Sequence, residues 1–273
     1  MIHNKINIKP QATKAMMRVL GAIFIASALT SCSSLVDHSV CDLRVLSLQI
    51  PMQSKDALKG NHEVIDQLQK SQAKLKQVLP SVAKKLSDQR EAENILKDGD
   101  VIGANIDLII KNQKSLNHIY DSVIVVADVI PSIQAEYNLM VDQMARDNYP
   151  STQVVLAKNQ VFIAGRILRS SASVVNKGAD ITLSVEDFNA DVEILNTYIK
   201  AQLEGNPELG VQRINDPELR ESLLSIQSDT TEVLLPASLN LLKNSEQIVR
   251  VSHAIKDNQE KSADIFNKIK NLE

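Results

Sequence analysis

The chain has 273 residues, of which 44 % are hydrophobic and 3 % aromatic, and its formal net charge is −3. The low aromatic content and the small number of glycine and proline residues, eight of each, are typical of a helical bundle. The charged residues are scattered without a basic block, which argues against a nucleic-acid surface, so we expect no nucleic-acid partner.

The first predicted element is an export signal over residues 1–31. Basic residues without acids precede an apolar run at 19–29, which is shorter than the roughly 20 residues of a membrane span and fits a signal peptide. The run ends in Leu29-Thr30-Ser31-Cys32, which resembles the lipobox of bacterial lipoproteins. We therefore expect cleavage before Cys32 and lipidation of its thiol, although an ordinary signal peptide or an uncleaved anchor also fits.

Two further expectations follow from this lipoprotein signal. By analogy with such signals, Ser33 directs the protein to the outer membrane, and residues 32–40 form a tether on the periplasmic side. If Cys32 carries lipid, Cys41 is left alone in an oxidising compartment. Cys41 is then either a tolerated thiol or the site of an intermolecular disulfide across a homodimer.

The rest of the chain reads as a series of helices separated by turn signals. We expect no later stretch that is long enough to span a bilayer. In the first half, breaks are predicted at Gly60-Asn61, at Pro80 and at Asn112. Asn112 precedes a long helix over 113–148 that contains Pro131, where we expect a kink.

In the second half, Tyr149-Pro150-Ser151 marks a break and a helix is expected to end near Gly178. Ser184 with Asp187 suits a capping box, and Asp216-Pro217-Glu218 reads as an N-cap followed by Pro at N1. Asn244-Ser245 is the last predicted joint. Phe162, like the other aromatic residues of this half, is expected to fill the core or a joint between helices.

An internal duplication indicates two modules. Residues 44–47 parallel 166–169, an offset of 122, and Lys111-Asn112 parallels Lys243-Asn244, an offset of 132. We predict an all-α fold of two tandem, elongated four-helix modules, at 41–135 and 136–273, joined by the long helix over 113–148.

The same chain resembles the periplasmic region of PilJ-type chemotaxis transducers of type IV pilus systems. The resemblance spans about residues 40–272 and is densest over 107–272. It is carried by an ordered set of short stretches rather than by one motif, namely 44–47, 49–50, 133–137, 164–170, 203–206, 209–211 and 213–214.

This resemblance implies a sensory or binding module, with a pilus subunit or a chemoreceptor as candidate partner. The chain departs from the family in a short 79–81 loop, in the absence of Trp and in Leu43, where the family tends to have Gln. Such transducers have membrane helices and a cytoplasmic signalling coiled coil, so we expect this chain to be a detached sensing domain. A structural lipoprotein that acts as an assembly scaffold is the alternative, and a decayed receptor fragment is a third.

Candidate sites follow from the resemblance and from the loops. Arg44 and Arg166 occupy equivalent places in the two modules, and related nitrate-sensing receptors bind an anion with such an arginine. Arginine suits oxyanions, but an arginine that is solvated or paired within the chain fits as well.

The loop at 205–214 is a candidate partner-binding segment through Gly205, Asn206, Gly210 and Arg213, although it also reads as a plain connection. No catalytic motif and no metal-ligand spacing is present. We therefore expect no enzyme activity, no metal and no cofactor.

Overall fold

The computed structural model describes residues 38–60, 62–176 and 181–272, so the predicted signal peptide, Cys32 and Gly178 lie outside the described residues. The described chain is all-α, as predicted, and its strand-like pairing is limited to one isolated bridge between Asn206 and Val211. The helices are α1 His38–Ala57, α2 His62–Ala83, α3 Gln89–Lys111, α4 Gln113–Arg146, α5 Ser151–Asn176, α6 Ile181–Glu204, α7 Pro217–Asp229 and α8 Leu235–Ile269. A π-helical turn, Thr230–Leu234, joins α7 to α8.

Aspartate caps start two of these helices. The Asp216 carboxylate accepts hydrogen bonds from the N–H groups of Glu218 and Leu219, both at 3.0 Å, and Pro217 follows at N1, as predicted. Asp88 caps α3 in the same way, which the sequence reading did not foresee. The predicted capping box at Ser184 is wrong, because α6 already begins at Ile181.

Two predicted breaks are also wrong. Helix α2 continues through Pro80 to Ala83, and the chain turns over residues 84–88 instead. Helix α8 runs through Asn244 without interruption. The Asn244 amide donates to the carbonyl of Asn240, four residues earlier, at 2.8 Å. A polar side chain that bonds its own helix is compatible with helix interior, so Asn is a weak stop signal there.

The buried apolar residues form two clusters. The first core is built from α1, α2, α3, the start of α4 and the C-terminal part of α8. The second core is built from α4, α5, α6, α7 and the N-terminal part of α8. The change from one core to the other falls between Leu116 and Ile119 on α4, and between Ile248 and Val251 on α8.

These cores divide the chain differently from the predicted modules 41–135 and 136–273. Residues 119–135 of α4 belong to the second core, where Val126, Ile130 and Ile133 are fully buried. Conversely, the end of α8 supplies Ile265 and Ile269 to the first core. Helix α4 therefore starts in the first core and forms a wall of the second bundle.

The duplication stays a prediction, and one pair of residues that it equates has the same local geometry. Asn112 and Asn244, which the offset of 132 equates, each donate a side-chain hydrogen bond of 2.8 Å to the carbonyl four residues earlier. If α1–α4 form one repeat and α5–α8 the other, most of α4 packs in the second bundle and the C-terminal part of α8 packs in the first. The N-terminal part of α8 packs in the second bundle, so the two bundles share this helix.

The two bundles together are called the double bundle. Contacts between residues that are distant in sequence show which helix ends lie at each end of it. Arg44 near the start of α1 contacts Lys270 after α8, so the described chain begins and ends at one end. At the opposite end, Gln153 near the start of α5 bonds Gly210 in the loop after α6. The turn at 147–150 and the loop at 205–216 therefore share the end farthest from residue 38.

Helix α4 differs from the expectation that no stretch after the signal peptide is long enough to span a bilayer. By length and composition alone, it is the one helix of the described ranges that could cross a membrane. Its residues at alternating spacings of three and four are buried in the two cores, and Tyr137 and Met140 are among them. Pro131 lies inside α4 without ending it.

Candidate functional site

Arg44, the first predicted ligand residue, caps the last helix. Its Nη2 donates to the carbonyl oxygens of Ile269 at 3.3 Å and Lys270 at 3.0 Å, and also to that of Leu272. The last carbonyls of a helix lack intrahelical donors and carry partial negative charge, so a guanidinium is well suited to this position. Of the alternatives for Arg44, this geometry fits an arginine that is paired within its own chain.

Arg166, the second predicted ligand residue, forms a two-point ion pair with Asp191. Its Nε donates to Asp191 Oδ2 at 3.0 Å, and its Nη2 lies 2.6 Å from Asp191 Oδ1. The Asp191 side chain is 1 % exposed, whereas that of Arg166 is 54 % exposed. The arginine therefore neutralises a buried carboxylate and keeps an open face toward solvent.

Around this pair, α5 and α6 form an open cleft of about 300 Å³, which we call the polar groove. It is lined by Arg166, Arg169, Ser170, Ser173, Ser184, Asp187 and Asp191. The α5 residues recur at spacings of three and four, and the α6 residues at three and four, so each set occupies one face of its helix. Two arginines, two aspartates and three hydroxyl groups thus face a shared space.

The charges of the groove act on the buried carboxylate. Burial raises the pKa of Asp191 above its ordinary value, and the attraction and hydrogen bond of Arg166 partly offset this rise. Asp187 raises the same pKa and Arg169 lowers it. Both residues therefore lie within electrostatic range of Asp191.

Sequence reasoning named Arg166 but missed Arg169, Asp187 and Asp191. The sequence contained part of the signal for this site. Arg166 and Arg169 are three residues apart and Asp187 and Asp191 are four apart, so each pair lies on one face of its helix. What the sequence did not reveal is that α5 and α6 bring these two pairs to opposite sides of one cleft. Asp187 had been assigned to a helix cap instead.

The predicted partner-binding loop is an ordered segment held by hydrogen bonds. The Gln153 amide donates to the Gly210 carbonyl at 2.8 Å and accepts from the Gln212 N–H at 3.0 Å. Gly205 and Gly210 have φ values of 88° and 67°, which suit glycine.

The loop also presents two exposed side chains. Arg213 is exposed, and Leu209 at the tip is 37 % exposed. Asn206 caps the tip, since its Oδ1 accepts from the Leu209 N–H at 3.2 Å. The loop therefore offers a mixed apolar and cationic surface, and partner binding there stays a prediction.

Cys41 is disulfide-bonded, so it is not the unpaired thiol that the lipoprotein reading expects. The sequence contains one other cysteine, Cys32. A bond between these two residues and a lipid on Cys32 are mutually exclusive, whereas a bond to a second chain is compatible with the lipid. Lipidation of Cys32 stays a prediction.

Metal ions require a set of ligand side chains that lie close together. Within residues 38–60, 62–176 and 181–272, no group of three or more His, Cys, Asp or Glu residues is placed to hold a metal ion.

Phe162 was expected in the core or at a joint between helices. It lies inside α5 with its side chain 62 % exposed, which corrects that expectation.

Comparisons with known proteins find similarity to two longer proteins. No protein-family model matches the chain. It is 26 % identical over 272 residues to the methyl-accepting chemotaxis protein AlkN of Alcanivorax borkumensis, which covers 98 % of this chain and 40 % of AlkN. It is 23 % identical over 247 residues to PilJ of Pseudomonas aeruginosa, which covers 84 % of this chain and 36 % of PilJ.

The chain thus spans about two fifths of the length of the curated relatives it matches. These similarities support a relationship to chemotaxis transducers of the PilJ type. The similarity to AlkN extends over nearly the whole chain.

Proposed function

We propose that this chain, related to PilJ-type chemotaxis transducers, is a non-enzymatic sensory or binding module of the bacterial envelope. The observation that carries the proposal is the similarity to a methyl-accepting chemotaxis protein over 98 % of the chain. The double bundle adds physical support, because α8 passes through both cores. If a ligand at one bundle shifted α8, the packing of the other bundle would change as well.

The proposed location is the periplasmic side of the envelope, with a lipid on Cys32 as the anchor and the outer membrane as the destination. Intact-protein mass spectrometry of the purified chain tests this, because a lipid adds mass to an N-terminal Cys32. The Cys32→Ala variant should move from the membrane fraction to the soluble fraction. An unmodified Cys32 thiol in the wild-type protein, or a disulfide between Cys32 and Cys41, would contradict the lipid anchor.

The proposed partner is a pilus subunit or a chemoreceptor, bound through the loop at 205–214. A photo-crosslinking amino acid at Leu209 in intact cells tests this, with the same probe at Leu96 as a matched control, since both side chains are 37 % exposed. Recovery of a pilin or a receptor from position 209, and not from 96, is the expected result. Equal products from both positions would contradict a partner at the loop.

A scaffold lipoprotein is the second candidate, favoured by one observation. Val155 and Phe162, seven residues apart on α5, are 55 % and 62 % exposed and project away from the core. Exposed apolar side chains in a row fit contact with other helices. Self-association that is lost in Phe162→Ser, without any pilin or receptor crosslink at Leu209, would favour the scaffold and a homodimer.

A further inference from the structure

The polar groove contains charges of opposite sign that do not neutralise each other. Arg169 on α5 and Asp187 on α6 both line it. Neither side chain forms a hydrogen bond or an ion pair within the described ranges, so their charged groups lie more than 4.0 Å apart. Two opposite charges on facing walls of a cleft are thus left without a partner.

The floor of the groove is already neutral. Arg166 and Asp191 are joined by two close contacts of 3.0 and 2.6 Å, and Asp191 is almost fully buried. This pair holds α5 and α6 at a fixed separation beside the other two charges. The positions of Arg169 and Asp187 across the cleft are therefore set by a rigid connection.

Hydroxyl groups complete the lining. Ser170 and Ser173 use their hydroxyl protons for carbonyls of their own helix, since Ser170 Oγ lies 2.9 Å from the Arg166 carbonyl and Ser173 Oγ 2.9 Å from the Arg169 carbonyl. Their oxygen lone pairs can still accept hydrogen bonds. Such acceptors favour an ammonium or a hydroxyl donor in the groove.

We propose that the polar groove binds a small zwitterion, an α-amino acid, with its carboxylate on Arg169 and its ammonium on Asp187. An anion alone would meet the unpaired carboxylate of Asp187, and a cation alone would meet Arg169. A molecule with both charges satisfies both walls at once, and the lining itself has no net formal charge. A cleft of about 300 Å³ is at the small end of ligand sites.

This inference rests on the proposed sensory function and names its ligand class. The test is isothermal titration of the purified full-length chain with each of the twenty standard L-amino acids. For each amino acid that binds, the deaminated acid and the decarboxylated amine are titrated separately. We expect at least one amino acid to bind at least about tenfold more tightly than both of its fragments, which corresponds to 1.4 kcal/mol.

Charge-neutral variants identify the groove as the site. Arg169→Gln and Asp187→Asn should each weaken amino-acid binding by at least about tenfold. Arg146→Gln and Asp142→Asn, which make the same chemical changes on α4 outside the groove, are the matched controls and should bind as the wild type does. Circular dichroism of each variant confirms that it is folded.

Three results would overturn the inference. These are the absence of binding by every amino acid, equally tight binding of the deaminated acid, and unchanged binding in both groove variants. An acid that binds as tightly as its parent would leave the sensory function intact with an anion as ligand. The proposed sensory partner at the loop is tested separately, by the crosslinking at Leu209, so its failure is distinguishable from a failure of the groove.

Discussion

The Arg44 side chain donates a hydrogen bond of 3.0 Å to the carbonyl oxygen of Lys270, across 226 residues of sequence. The two residues lie at opposite ends of the described chain, and their contact closes the first bundle. The same guanidinium also reaches the carbonyls of Ile269 and Leu272, so one side chain holds the last turn of α8.

We expect Arg44→Gln to lower the free energy of unfolding by about 1–3 kcal/mol, because several carbonyls at the end of α8 lose a charged donor. Urea unfolding followed by circular dichroism measures this. Arg250→Gln is the control, since Arg250 forms an exposed ion pair with Glu246 at 3.3 Å and should cost less than about 0.5 kcal/mol. Equal effects of the two variants would contradict a capping role for Arg44.

Close packing at Gly99 leads to a second prediction. A Cβ atom at Gly99 would lie 2.1 Å from Leu79 Cδ2, whereas one at Gly103 would have its nearest neighbour at 3.7 Å. Gly99→Ala should therefore destabilise the chain by about 1–3 kcal/mol. Gly103→Ala should be neutral or stabilise it by up to about 1 kcal/mol, because alanine favours the helix interior.

Thermal unfolding of the two variants provides the measurement. A second-site change, Leu79→Ala, removes the atom that the added methyl group of Gly99→Ala would meet. The double variant should therefore be more stable than the sum of the single effects predicts. Strict additivity of Gly99→Ala and Leu79→Ala would show that the two positions do not clash.

A buried carboxylate in the first bundle gives a pH-dependent prediction. Asp98 on α3 lies 3.1 Å from Lys261 Nζ and 3.5 Å from Lys268 Nζ, both on α8. The hydrogen bond and charge of Asp98 raise the pKa of Lys261 above its ordinary value of 10.5. The folded state therefore favours protonated Lys261. Its contribution to stability is present below pH 10.5 and is lost as the pH rises through the raised value.

We expect Asp98→Asn to destabilise the chain at neutral pH by at least about 1 kcal/mol. The difference from wild type should stay constant below pH 10.5 and shrink as the pH rises through the raised pKa of Lys261, where this residue loses its proton. Urea unfolding across this range measures both variants. A difference that stays constant with pH would mean that the Asp98–Lys261 interaction does not contribute.

The loop at 205–214 gives a fourth prediction. Gln153 holds this loop through the Gly210 carbonyl and the Gln212 N–H. Gln153→Ala should speed hydrogen exchange of the Gln212 amide by at least about tenfold, because that N–H loses its acceptor.

The control for this loop variant is Gln143→Ala. Gln143 makes an exposed hydrogen bond of 3.3 Å to Glu218 at the same end of the molecule. Exchange of the Gln212 amide should be unchanged in that variant. If Gln153→Ala also leaves the exchange unchanged, Gln153 does not order the loop.

Much of the secondary structure could be predicted from local signals. The Asp216–Pro217 start of α7 was confirmed because capping depends on a few adjacent residues. The breaks at Pro80 and Asn244 were wrong, since tertiary packing maintains a helix through residues of low propensity. The sharing of α4 and α8 between the two cores was beyond the sequence, because periodicity shows which face is buried and does not show against which helix.

The site was predicted only in part. Arg166 was found through its position in the duplication, but its partner Asp191 is 25 residues away on the next helix. A long-range pair of this kind leaves no local signature. Arg44 is a second case of this kind. Its contacts with Ile269 and Lys270 can be recognised only once the start of α1 and the end of α8 are known to lie together.

The sharing of α8 between the two cores limits how the chain can be divided. A fragment that stops at residue 135 would lack Ile265 and Ile269, and its first core would be open on one side. A fragment that starts at 136 would lack the first part of α4, and Val126 and Ile130 with it. Neither half is a self-contained folding unit, so limited proteolysis should degrade the chain as one body rather than release a stable half.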